Sequence, residues 1–139
     1  MAADPRHVRE ALRRTETQLQ KLVEPTERQL HDAARALAAT EDRLRATHVA
    51  LVKQLAFWRD LLYECEHAVD EDGGQPDCSA LYRRCAMIEG QIDRLRRLQT
   101  ELEQTTAQYD KAAAEVRRAI HDDVPAAIRA NDAYVRSQR

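Results

Sequence analysis

Cys65, His67, Cys78 and Cys85 crowd the middle of this 139-residue sequence and are its first candidates for metal or redox chemistry. A zinc site needs four nitrogen or sulfur ligands converging tetrahedrally. The spacings Cys-x-His and Cys-x6-Cys match no common zinc pattern. Cys65 and Cys85 also fall on apolar stripes, where a free thiol packs as a small apolar side chain. Buried free thiols are therefore the favoured reading, with a disulfide and a metal site as alternatives. A second constellation, Glu41, His48, Gln99 and Thr106, has the types an acid–base site would use. The same residues read better as a polar layer fixing helix register, because paired helices offer no deep cavity to exclude water. Asp70, Glu71, Asp72 and Asp77 lack the spacing of a calcium loop. They read as a solvated acidic tip, with docking of a basic partner as the alternative.

Two further groups bear on recognition. Phe57, Trp58 and Tyr63 form the one dense aromatic group among six aromatic residues. Trp58 lies on a stripe and belongs to the core, whereas Phe57 and Tyr63 lie off it and are candidate partner anchors. Leu61 joins them, as do Val49 and Val52, so this stretch is apolar on more than one side. Arg83, Arg84, Arg94, Arg96 and Arg97 make the second half basic near its middle. Glu89, Asp93 and Glu101 intervene, so a salt-bridged solvated face is favoured over a nucleic-acid site. The candidate partner-binding residues are Phe57, Leu61, Tyr63, Arg94 and Arg97. No catalytic or metal-binding set emerges, and the chain reads as a non-enzyme without a cofactor.

The elements that position these residues follow from periodicity. One apolar seam reads Leu30, Ala34, Leu37, Glu41, Leu44, His48, Leu51, Leu55, Trp58, Leu62, Cys65, Val69. A second reads Leu81, Cys85, Ile88, Ile92, Leu95, Gln99, Leu102, Thr106, Tyr109, Ala113, Val116, Ile120. Steps of three and four keep side chains on one helical face. Between the seams lies the acidic Gly-Pro turn Asp70–Asp77. The pattern predicts an all-α fold: a long antiparallel helical hairpin with a shorter third helix, a coiled-coil-like three-helix bundle.

The predicted elements are a helix over about 5–70, a turn over 71–78, a helix over about 79–122 and a helix over about 125–137. Asp4-Pro5 suits the first helix start, and Asp77 or Ser79 the second. Before residue 25 the stripe reads Val8, Leu12, Thr15, Leu19, Leu22. Its phase slips by one near Pro25, which predicts a kink or break at 24–26. Ala127, Ile128, Tyr134 and Val135 would form the third helix's stripe. Folding about residue 75 sets Leu55 against Leu95, Trp58 against Ile92, Leu62 against Ile88 and Cys65 against Cys85. It also sets Glu41 against Tyr109 and His48 against Leu102.

Composition agrees. Three glycines and four prolines are too few for a loop-rich fold, and 22 basic against 24 acidic residues give a net charge of −2. That balance supplies no bulk field for nucleic acid or an anionic membrane. Nineteen of the basic residues are arginine. No apolar run approaches a membrane span, and the start lacks a secretory core. An odd cysteine count does not read as a secreted disulfide framework. The chain is expected to be cytoplasmic, to need no membrane, and to form a homodimer as one way of covering its excess apolar surface.

Several features together resemble the tubulin-binding cofactor A family. Met1-Ala2, Asp4-Pro5-Arg6, Val8-Arg9, Thr15 and Lys21-Leu22-Val23-Glu24 are similar to that family's opening, and Glu71-Asp72-Gly73 with Asp77 to its first connection. The first arm is several turns longer than is usual there, and the second lacks a proline that many members carry. The resemblance implies a three-helix bundle that captures β-tubulin before the heterodimer assembles, without nucleotide or metal, in the cytoplasm and associated with the cytoskeleton. The alternative is a structural coiled-coil subunit of a cytoskeletal, trafficking or secretion complex.

Overall fold

The computed structural model describes residues 4–138, and every element among them is helical. Helix α1 spans Pro5–His67 and helix α2 Ser79–Arg118; a π-helical turn, Ala119–Asp123, leads directly into α3, Val124–Ser137. Met1 and Ala2 of the family-like opening lie outside the described residues. The chain divides into two compact units, one of Leu37–Thr105 and one of Met1–Ala36 with Thr106–Arg139.

Local chemistry sets the helix ends. Asp4 Oδ1 accepts from the Arg6 amide at 3.0 Å, and Pro5 occupies the first turn, where its missing N–H costs nothing. At the far end, the His67 ring lies 2.8 Å from the Tyr63 carbonyl and stacks on the Tyr63 ring. Helix α1 stops at His67 rather than near 70. Val69, expected on the seam, is 72% exposed. The reversal is closed by mutual Asp70–Gly74 and Gly73–Asp70 backbone bonds, with Gly73 at φ 81°, a conformation that glycine adopts without steric cost. Asp77 Oδ1 accepts from both the Ser79 amide and hydroxyl, which hold its carboxyl below the usual range.

In the Leu37–Thr105 unit, Leu55, Cys85, Ile88 and Ile92 form the core, flanked by Leu51, Trp58 and Leu62. The seams hold, and the register lies within two residues of folding about residue 75. Arg59 meets Glu89 at 2.8 Å rather than Gln91, and Tyr82 hydrogen-bonds Glu66 rather than reaching Ala68. Helix α1 ends earlier than periodicity suggested, which moves the point of reversal. The cysteines pair differently from expectation: Cys65 is joined to Cys78 by a disulfide, with Cα atoms 6.0 Å apart, and Cys85 is free and buried. The expectation of free thiols with Cys65 facing Cys85 is thereby corrected.

The polar layer is also only partly as expected. His48 and Gln99 are half-buried on their seams, but Glu41 turns to solvent and pairs with Arg45 at 2.9 Å. An i,i+4 partner one turn away suits a carboxylate better than a desolvated seam position.

In the other unit, α1 runs antiparallel to the chain from Thr106 onward. The Tyr109 hydroxyl donates to the Leu30 carbonyl, Glu27 meets His121 at 3.3 Å, and Arg9 donates to the Gln138 carbonyl at 2.9 Å. Pro25 does not break α1; Lys21 and Pro25 are both exposed, so water can take the carbonyl that proline leaves unpaired. Nor does the seam slip there. Leu12, Glu16, Leu19, Val23, Thr26 and Leu30 face inward, while Thr15 and Leu22 are exposed. Thr15 instead bonds back to the Ala11 carbonyl. The extra step of four lies at Ala33 and Ala34, whose small side chains let both share the half-buried face.

No separate third helix begins at Pro125; α3 continues from α2 through the π turn, in which the Val124 amide bonds the Ala119 carbonyl. The wider turn relieves the clash a proline ring makes with the carbonyl four residues back. It also absorbs one residue of phase. Ile128 and Val135 of the expected stripe face inward, joined by Val124 and Asn131, whereas Ala127 and Tyr134 are exposed.

Two measurements test this packing. Ile88 is 1% exposed, so Ile88→Ala should cost about 2–5 kcal/mol in urea unfolding. Desolvation on the half-buried seam and the neighbouring Asp132 carboxylate push Glu16 up, against a smaller opposing effect of Arg13. A carboxyl that binds its proton more tightly when folded costs stability as pH rises through the interval between its ordinary and raised values. Glu16→Gln should therefore raise the melting temperature at pH 7, and the gain should vanish below about pH 4.

Candidate partner-binding surface

Residues three, four or seven apart share a helical face, whereas residues six apart are turned by about 120°. That geometry divides the candidate residues. Phe57 and Leu61 are four apart, and Leu61 continues the line of Thr47 and Gln54. Thr47 and Leu51 line one side of a groove of about 350 Å³, with Gln91, Arg94, Leu95 and Leu98 on the other. Phe57 lies beside Leu61, turned about 120° from groove-lining Leu51, while Leu61 and Arg94 belong to the groove's flank of the Leu37–Thr105 unit. Tyr63 does not: it stacks on His67 in line with Val49, Val52 and Ala56, on the opposite flank. Arg97 neighbours Arg94 but faces a separate shallow depression with Arg96, Thr100, Glu101 and Gln104.

The groove flank combines uncovered apolar surface with free positive charge. Phe57 is 58% exposed, and Met87 and Leu98 are also exposed. Phe57 is steadied by an edge-to-face contact with Trp58, over which the Arg84 guanidinium sits at 5.2 Å. That arrangement fixes the aromatic pair while leaving one face of Phe57 to solvent. Arg94 and Arg97 form no ion pair among the described residues, unlike Arg59 with Glu89. On the other flank, Arg45 and Arg59 are both tied to carboxylates.

Met87 and Leu98 were missed from sequence. The signal was present: with Gln91 and Arg94 they repeat at steps of four, three and four beside the seam, an apolar interruption of an otherwise charged face. The acidic tip residues Asp70, Glu71 and Asp72 are exposed. Among the described residues no group of three or more His, Cys, Asp or Glu is placed to hold a metal ion, and no helix is long and apolar enough to cross a membrane.

Compared with known proteins, the chain matches no family model, no curated protein and no solved structure.

If this flank is a surface and not part of the core, Met87→Ala and Leu98→Ala should each change unfolding free energy by no more than about 0.5 kcal/mol. Chemical denaturation of both variants beside Ile88→Ala checks it.

Proposed function

We propose that this chain is a helical binding protein and not an enzyme, and that it holds a protein partner along the groove flank. The observation that carries this reading is the groove in which exposed Leu98 and the unpaired Arg94 face Thr47 and Leu51, with exposed Phe57 and Met87 on the same two helices. Apolar and aromatic side chains grouped with arginine are the composition of interface centres. The resemblance to tubulin-binding cofactor A nominates β-tubulin as the partner. In that role Phe57 and Leu61 cover an apolar face of β-tubulin, and Arg94 and Arg97 meet its acidic surface. The work would be done in the cytoplasm, in association with the cytoskeleton, and affinity must stay moderate enough for release.

A second reading has its own support. Alternating steps of three and four run without interruption from Leu81 to Ile120, and Val49, Val52 and Tyr63 leave the other flank uncovered. Such a face suits another helix, either a second copy or a different chain, in a structural coiled-coil assembly.

Size-exclusion chromatography with light scattering separates the two. The first reading expects a stoichiometric complex with β-tubulin freed from its heterodimer, weakened about tenfold or more by Phe57→Ala with Leu98→Ala. Tyr63→Ala should leave that complex unchanged, because Tyr63 lies on the opposite flank. Separate elution from β-tubulin, with a mass that doubles on raising concentration, would overturn it in favour of the coiled-coil subunit.

A further inference from the structure

We propose that the Cys65–Cys78 pair is a thiol–disulfide exchange site that controls whether the end of the helix pair is ordered. The disulfide joins the last turn of α1 to the residue just before α2, across a sequence separation of 13. Both cysteines are half-buried, at the edge of a depression lined by Glu66, Gln75, Pro76, Asp77, Ser79 and Tyr82. They are within reach of solvent, whereas Cys85 is buried at 5% exposure.

The two sulfurs are not equivalent. The Cys78 carbonyl accepts the first helical bond of α2 from the Tyr82 amide, which puts the Cys78 side chain at the N-terminus of a 40-residue helix. A helix N-terminus favours a thiolate. The carboxylates of Asp77 and Glu66, bonded to Ser79 and Tyr82, stay charged and each adjoins one cysteine in the chain, so they bear on both sulfurs alike. In an exchange reaction the sulfur with the lower thiol pKa leaves faster. A dithiol reductant, as one of its thiolates, therefore attacks Cys65 Sγ; the Cys65–Cys78 bond breaks and the electron pair leaves on Cys78 as thiolate. The second thiol of the reductant then loses its proton and attacks the mixed disulfide. Cys65 leaves as thiolate and takes up a proton, and the reductant departs as a disulfide. Two electrons pass from the dithiol to the cysteine pair.

The consequence is local. The last turn of α1 carries the Tyr63–His67 stack and the Glu66–Tyr82 hydrogen bond, and nothing in it beyond Cys65 reaches the buried core. Without the covalent tie, that turn and the reversal are held by exposed hydrogen bonds alone, which open readily. The Leu55, Ile88 and Ile92 packing lies deeper along the seam and survives the change.

Thiol counting and hydrogen exchange on the full chain test this together. Iodoacetamide labelling of the native chain should modify no thiol; after dithiothreitol it should modify Cys65 and Cys78, with Cys85 reacting only on denaturation. Amide exchange over 64–68 and 78–82 should then accelerate about tenfold or more, with 50–58 and 86–95 unchanged. A Cys65→Ser, Cys78→Ser variant should show the fast exchange without reductant and no response to it. Three reactive thiols in the denatured, unreduced chain would overturn the proposal, as would exchange rates indifferent to dithiothreitol.

Discussion

Each unit of this protein is held by side chains that lie along a single line on each helix. In the Leu37–Thr105 unit only Leu55, Cys85, Ile88, Ile92 and Leu95 leave solvent almost entirely; in the other unit, Ala113 and Ile120 do. With so few fully buried groups, the interlocking of those side chains has to fix how far one helix slides past the other. Exposed ion pairs such as Arg59–Glu89 contribute at most about 1 kcal/mol each and follow the register more than they set it. The covalent tie at Cys65 and Cys78 adds a constraint that owes nothing to burial. The cross-helix partner of Arg59 is then a consequence of register, whereas Arg14, Arg28 and Arg45 pair within α1 whatever the register. A shift of two residues along the seam gives Arg59 its glutamate.

Helix type and seam membership were readable because they depend on periodicity alone. Leu81 through Ala113 face inward as their steps of three and four require, and Asp4-Pro5 begins a helix as their chemistry dictates. What could not be read depended on competition between local bonds. The end of α1 falls at His67, whose imidazole also reaches the Tyr63 carbonyl, a local contact that periodicity does not register. The cysteine pairing was not readable because Cys78 lies in the connection before α2, off both seams. Near Pro25 the apolar Leu22 lies off the seam while the charged Glu16 lies on it. The inward line holds Glu16, Val23 and Thr26, a polar member at each end. Hydrophobicity marks a seam poorly where the helices bury little.

The candidate surface shows the same division. Phe57, Leu61 and Tyr63 stood out by type, but spacing alone separates the first two from the third. A helix six residues along has turned a third of a circle away. The useful contribution came from the opposite helix, where Met87 and Leu98 complete an apolar strip whose centre is Arg94. A site built from two helices is only half visible in either one.

The π turn at Ala119–Asp123 has a bearing on how such a chain can change over time. In a paired helix, one inserted residue would swing every later side chain by about 100° and turn the apolar line out to water. Here a single widened turn takes up that residue, and Ile128 and Val135 regain the inward face. The turn therefore acts as an expansion joint. Upstream and downstream stretches can be lengthened or shortened on separate schedules, and the terminal helix need not share an unbroken repeat with the rest.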